Sequence, residues 1–359
     1  MIEANTNVQN ELSSFEFSYN YVIASSGCVY DLVGYREVIN LPNVSFHKSY
    51  LQGYRINGFG GLRGFFLSVI FFPCHFSRKW EKIVHTKLTN FVYPMMFPHR
   101  FSKSDPICFI FFEREGCIYN SSYIAYLRTT YPKCRIVLYL EDLIATISDF
   151  DVELLKKKMD LIITYDMNDS KKYGIYYHHT PMSKIKQIAH NNRFQSDVYF
   201  CGRAKQRYPE IHRIYQILTK QGFSCDFNVM WLPKGAQKID GITYRNGNIT
   251  YEENLQHVVN TKCVLEISQC GASGFTPRLW DSIMYDKHLL TNIPIDETSE
   301  FYKKDNIHDV SDVYSGRIKD WIHHESVYPA EMKETLSPLH WLKFIDQNLC
   351  KLDTVKNKV

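Results

Sequence analysis

The chain has 359 residues, 45% hydrophobic and 22% charged, with a formal net charge of +4. These values argue against intrinsic disorder and against a charge-driven nucleic-acid binder, and the length favours two hydrophobic cores over one. The ten cysteines form no Cys-x-x-Cys pair and have no histidine at ligand spacing, so they read as small, reduced core residues rather than metal or disulfide sites.

The polar, acidic start MIEANTNVQNE lacks the basic and apolar regions of a secretory signal, so a cytoplasmic protein is expected. Tyr21–Ala24 is the first short apolar strand. Phe65–Pro73 is the longest apolar run, about half of what a membrane helix takes, so no transmembrane segment is expected. Arg63, Arg78, Lys79, Lys82 and Lys87 flank it, a pattern that allows peripheral contact with the inner membrane face; the alternative is a buried strand or helix. Ile107–Phe112, Arg135–Leu140 and Leu161–Tyr165 are apolar on both faces, which predicts a parallel sheet covered on both sides. Between the first two of these, Tyr123, Ile124, Tyr126 and Leu127 make the apolar face of a helix over Ser121–Tyr131. Asp149-Phe-Asp151 has the spacing of a metal-binding pair, but it precedes the helical stretch Val152–Lys158, where a cap is the expected role.

The polar stretch from His178 to Ser196 contains Pro181 and an Asn pair and predicts the domain boundary; the His178–His179 pair within it reads as structural or solvated. A second α/β series follows, opening with the strand Asp197–Cys201. A helix over Pro209–Gln221 shows one apolar face in Ile211, Ile214, Tyr215 and Leu218 and is closed by Gly222. The strand Cys225–Met230, the helix Tyr251–Asn260, the strand Val264–Ser268, the helix Pro277–Tyr285 and the strand His288–Asn292 come next. An amphipathic helix over Leu339–Leu349 could return to the first domain. The expected units are 1–190, 196–330 and a C-terminal helix within 331–359.

Chemistry concentrates in Glu266–Asn292. A strand ends near Ser268, Gly271, Ala272, Ser273 and Gly274 make a small-residue loop, and Thr276 and Pro277 open a helix as N-cap and first residue. Backbone N–H groups and the helix dipole there predict an anion site suited to a diphosphate. Arg278 and Asp281 share a helix face, either as phosphate and ribose ligands or as an exposed ion pair. In DVYFCGRAKQR (197–207), Arg203, Lys205 and Arg207 crowd the loop after Gly202, as a phosphate contact or as a solvated basic turn. Seven residues separate Cys270 from Arg278, too many for a phosphatase loop, and Gly271–Gly274 is one position short of a nucleophile elbow. No Gly-x-Gly-x-x-Gly follows the first strand, so nicotinamide chemistry has no support.

SGFTPRLWDSIMYDKHLLTN resembles the donor-site segment of GT-B glycosyltransferases. Gly274 and Phe275 fit its turn, Asp281 stands at its ribose-binding Glu, Lys287 at its Lys, and Leu289–Leu290 begin its strand. Ser273 departs from a second Glu found in many retaining members, and Asp281 is one methylene shorter than the usual Glu. More closely, YDMNDSKKYGI (165–175), DVYFCGRAKQR and Glu266–Asn292 resemble bacterial glycosyltransferase-like proteins of capsule and lipopolysaccharide biosynthesis. The resemblance implies an α/β protein of two Rossmann-like, doubly wound domains facing a cleft, acceptor side first and donor side second. It also implies sugar transfer from a nucleoside-diphosphate sugar to a saccharide or lipid-linked saccharide acceptor. Donor binding would fall to Gly202, Arg203, Lys205, Glu266, Gly271, Ser273, Gly274, Phe275, Thr276, Arg278 and Asp281. Glu141 or Asp142, at the end of a first-domain strand, would be the general base of an inverting enzyme. No essential metal, other cofactor or nucleic-acid partner is implied. A non-catalytic binding or assembly module and a sugar-nucleotide epimerase are the competing readings.

Overall fold

A computed structural model describes residues 15–24, 31–47, 66–67, 69–70, 73, 76–97, 99–113, 122–147, 150–185, 188, 191–268, 276–294 and 301–356. In the first half, the elements run β1 (Asn20–Ala24), β2 (Val44–His47), α1 (Arg78–Lys87), β3 (Ile107–Phe112), α2 (Tyr123–Thr130), β4 (Arg135–Leu140), α3 (Val152–Lys158), β5 (Leu161–Thr164), α4 (Met167–Tyr173) and β6 (Tyr176–Tyr177). Their strands form one parallel sheet in the order β2-β1-β3-β4-β5-β6. Strand alternation explains the unbroken apolar run of β3. Ile107, Phe109 and Phe111 enter a core shared with α2 and α3, while Cys108, Ile110 and Phe112 enter a second core on the other face.

The second half holds β7 (Ser196–Arg203), α5 (Tyr208–Lys220), β8 (Cys225–Met230), β9 (Ile242–Arg245), α6 (Tyr251–Asn260), β10 (Thr261–Glu266), α7 (Pro277–Met284), β11 (His288–Thr291), β12 (Ile307–Asp309) and α8 (Ser311–Ser315). This sheet is also parallel, in the order β12-β11-β10-β7-β8-β9. Read from its other edge, that is the 3-2-1-4-5-6 order of a Rossmann fold, with the reversal between β7 and β10. Its two faces are again apolar: Val198 and Phe200 pack with α5, and Tyr199 and Cys201 pack with α6 and α7. Two doubly wound α/β units in one chain are the architecture that the GT-B resemblance implies.

The last elements are α9 (Ala330–Thr335) and α10 (Pro338–Lys356). Trp341, Leu342, Ile345 and Leu349 of α10 are fully buried in the outer core of the first sheet. Asp346 on the same helix accepts from the Tyr21 hydroxyl at 2.7 Å and the Ser18 N–H at 3.0 Å. The segment joining the two sheets is tied to the first unit and to the C-terminal segment. The Ser183 N–H and hydroxyl each donate to Gly34 O at 2.7 Å, and the Met182 N–H donates to Leu336 O at 2.8 Å. His178 and His179 are buried there, His179 against Trp280 and Phe301. Burial pushes the pKa of His179 down to about 4.

Asp151 caps α3 by accepting from the Leu154 N–H at 3.0 Å, and Asp166 caps α4 by accepting from the Asp169 N–H at 2.8 Å. Asp169 in turn accepts from the Ile144 N–H at 2.9 Å. Asp149 lies outside the described residues, as do 65, 68, 71 and 72 of the apolar run. Within that run Leu67 enters the core, whereas Phe66 and Val69 are exposed. Among the described residues, no helix is long and apolar enough to cross a membrane.

Candidate functional site

Strands β7 and β10 are neighbours at the point where the strand order reverses, so their carboxyl ends frame the crevice in which doubly wound sheets hold ligands. Gly202 lies near the end of β7, and its lack of a side chain is what the crevice requires. A Cβ there would stand 2.8 Å from Nη2 of Arg207, 2.8 Å from Nη2 of Arg278 and 3.1 Å from Cζ of Phe200. Two guanidinium groups therefore converge over one glycine, each with its central carbon 5.8 Å from the Phe200 ring centroid.

Both are held by strand-end carbonyls. Arg278 donates from Nε to Cys201 O at 2.9 Å, from Nη2 to the same oxygen, and from Nη1 to Thr276 Oγ1 at 3.2 Å. Arg207 donates from Nε to Arg203 O at 3.0 Å and from Nη1 to Ile267 O. Each guanidinium has five N–H groups, so both retain donors beyond these bonds. Burial first, and then the neighbouring Arg278, push the pKa of Arg207 down to about 10.

Glu266 ends β10 and is fully buried. It accepts from the Thr276 N–H at 3.1 Å, from the Thr276 hydroxyl, and from the Thr291 hydroxyl at 3.4 Å. Burial raises its pKa, against the lowering effect of Thr276 and Arg278. Thr276 is the N-cap of α7, accepting from the Arg278 N–H at 3.3 Å, while its own donors face Glu266. The structure thus brings Gly202, Glu266, Thr276 and Arg278 together and adds Arg207. Gly271, Ser273, Gly274 and Phe275 lie outside the described residues. Arg203 and Lys205 are exposed at the same sheet edge.

Asp281 turns elsewhere. It is 3% exposed, and its two oxygens accept from the Tyr251 hydroxyl at 2.6 Å and from Asn254 Nδ2 at 3.1 Å. Burial pushes its pKa up to about 7, against those hydrogen bonds and Arg278. Arg278 and Asp281 have different partners despite their three-residue spacing. Lys287 donates to Val259 O at 2.9 Å and is half-buried, and desolvation lowers its pKa.

Glu141 and Asp142 follow β4 at the carboxyl edge of the first sheet, half-buried and exposed respectively. The Glu141 N–H donates to Glu113 Oε2 at 2.8 Å, and Glu113 itself is buried at the end of β3. The Tyr165 phenol nearby has a raised pKa, through burial first and then the charges of Asp166, Asp142, Asp169 and Glu113.

Sequence reasoning passed over Glu113, although the rule that singled out Glu141 and Asp142 (a carboxylate closing an apolar strand) applies to it equally. It did not foresee Tyr251 and Asn254 at Asp281, because nothing local marks a contact spanning α6 and α7. Among the described residues, no group of three or more His, Cys, Asp or Glu side chains is placed to hold a metal ion. Depressions of about 270 and 450 Å³ lie at the opposite, amino-terminal ends of the strands, beside Lys287–His288 and beside Tyr19 and Arg135.

No protein-family model matches the chain, and no curated protein matches it. Among solved structures it is similar to an alpha-glucosyltransferase in complex with UDP-glucose and DNA containing an abasic site. That match has 12% identity over 70% of this chain and 79% of the other, with a TM-score of 0.46. It is similar to the apo structure of OtsA, with 11% identity over 86% and 88% and a TM-score of 0.49. A third is an alpha,alpha-trehalose-phosphate synthase (UDP-forming) from Burkholderia vietnamiensis, with 11% identity over 89% of each chain and a TM-score of 0.45. Likeness at this level assigns no residue and no substrate to this chain.

Proposed function

We propose that this protein is a glycosyltransferase that binds a nucleoside-diphosphate sugar in its second unit and passes the sugar to a saccharide or lipid-linked saccharide acceptor. The convergence of Arg207 and Arg278 over Gly202, at the strand-order reversal, is the observation that carries the reading. Two cations fixed by carbonyls at the mouth of a sheet are suited to a diphosphate, and they would offset the charge that grows on the leaving nucleoside diphosphate. Glu266 takes a positioning role in this reading, since it holds Thr276, which in turn bonds Arg278. With two cations in that place, the proposed reaction calls on no essential metal.

On the acceptor side, Glu141 and Asp142 are the proposed candidates to take the proton of the attacking hydroxyl. A peripheral membrane contact is part of the proposal. Phe76 is 79% exposed, and Phe91, Val69, Phe66 and Ile83 are also exposed, beside the exposed Lys79, Lys82 and Lys87 of α1. Apolar and basic residues in that mixture suit an anionic bilayer that carries a lipid-linked acceptor. Synthesis of a cell-surface polysaccharide such as capsule or lipopolysaccharide is the pathway we assign to it.

The test is release of nucleoside diphosphate from UDP-, GDP- and dTDP-sugars, with and without saccharide acceptors. Acceptor-dependent release that Arg278→Ala abolishes would support transfer. Binding without release would favour an assembly module, and acceptor-free conversion of the donor would favour an epimerase.

A further inference from the structure

Two non-glycine residues with positive φ stand side by side at the carboxyl edge of the second sheet: Lys205 at 43° and Trp231 at 55°. The Ala204 N–H donates to Met230 O at 2.8 Å, which keeps the two segments together. A bulky side chain in the left-handed region is a genuine outlier, and such strain gathers at ligand sites. Packing does not explain it at Trp231, whose side chain is 51% exposed, whereas Trp280 and Trp341 are buried at 1% and 0%. The residue is nonetheless pinned. Its N–H donates to Arg245 O at 3.0 Å, and its indole N–H donates to Asn248 Oδ1 at 3.3 Å.

Its position relative to the two arginines gives the exposed ring a use. Gly202 pairs with Val229 and Arg203 with Met230, so Trp231 emerges one strand across and two residues along from the glycine beneath the guanidiniums. Strand spacing and rise put it on the order of 8 Å away. A ribose with its base spans a comparable distance from a diphosphate. A ligand laid across the reversal point, with its phosphates between β7 and β10, would carry its nucleoside over β8, the strand that Trp231 follows.

We propose that Trp231 is the platform on which the donor's nucleobase stacks, so that the site takes a nucleoside diphosphate in preference to a bare diphosphate. The proposal rests on the nucleotide-sugar reading above. Stacking on an indole is tolerant of base identity, so Trp231 supplies affinity, while the exposed Asn248, whose Oδ1 accepts from the indole N–H, stands beside it with its amide N–H groups available to a base edge.

The experiment titrates UDP, GDP and dTDP, and separately inorganic pyrophosphate, into the full chain and its Trp231→Ala, Trp231→Phe and Arg278→Ala variants by calorimetry, with tryptophan emission recorded in parallel. The expected result is a nucleotide that quenches wild-type emission and whose Kd rises about tenfold or more in Trp231→Ala, with recovery in Trp231→Phe. Pyrophosphate should bind Trp231→Ala as it binds wild type, and Arg278→Ala should weaken both ligands. If Trp231→Ala binds the nucleotide as tightly as wild type while Arg278→Ala does not, the stacking role is overturned and the donor site stands. Equal losses for nucleotide and pyrophosphate in Trp231→Ala, or no recovery in Trp231→Phe, also overturn it. A wild type that binds none of these ligands at millimolar concentration brings down both the donor site and the stacking role.

Discussion

Replacing Asp281 by Asn removes a carboxyl that sits 3% exposed between Tyr251 and Asn254, with its pKa pushed up to about 7 by burial. In the unfolded chain the same group titrates at about 3.9. Between those values the folded protein holds a proton that the unfolded chain has released. The stability this confers is complete below the unfolded pKa and falls as the pH rises towards 7. The full gap is worth about 4 kcal/mol, of which about 3 kcal/mol falls between pH 5 and pH 8. Buried histidines act in the opposite sense. His179 and His308 are both pushed down to about 4 by burial, so the unfolded chain gains protons that the fold refuses, and stability is lost as the pH falls below about 6.5. Comparing wild type with Asp281→Asn cancels the histidines. The amide keeps an acceptor for Tyr251 and gives up the bond from Asn254, a loss of about 1 kcal/mol at every pH. Denaturant unfolding at pH 5, 6.5 and 8 measures the difference. The advantage of wild type over the variant should shrink by about 3 kcal/mol from pH 5 to pH 8. An advantage that stays constant, or grows towards pH 8, refutes the argument from burial.

Three further outcomes follow from the geometry. Gly202→Ala should fold normally yet weaken diphosphate binding by about tenfold or more, because the new methyl displaces two charge-assisted contacts; calorimetry with pyrophosphate reads it. Trp341→Ala should cost about 3–5 kcal/mol, since the side chain is fully buried between α10 and the first sheet; a denaturant midpoint matching wild type would contradict that packing. The double change Phe76→Glu and Phe91→Glu, at side chains 79% and 57% exposed, should leave thermal stability unchanged and abolish co-sedimentation with anionic vesicles. Unaltered co-sedimentation would show that the membrane contact lies elsewhere.

Elements buried on both faces were the ones legible in the sequence. The apolar runs of β3 and β4 predict their strands residue for residue, because neither face has to be polar. Edge strands gave no such signal. β2, β9 and β12 are three or four residues long and bury little beyond their first residue, so alternation has no room to show. The last helix extends beyond its predicted end at Leu349 to Lys356. Asp353 there bonds Tyr19 and Arg135, partners hundreds of positions away in the chain. The same distinction runs through the site. Gly202, Arg278 and Thr276 stand out by spacing and turn chemistry, whereas the orientation of Asp281 is decided by Tyr251 and Asn254 on another helix. Helical spacing alone would have paired Asp281 with Arg278.

Calorimetric titration of wild type, Arg207→Ala and Arg278→Ala with nucleoside diphosphates tests the donor site most directly. One nucleotide should bind wild type in the micromolar to millimolar range, and each single variant should lose about tenfold or more of that affinity, the worth of a charge-assisted contact. Binding that neither arginine affects would contradict the site, and a wild type that binds no nucleotide would contradict the glycosyltransferase reading itself.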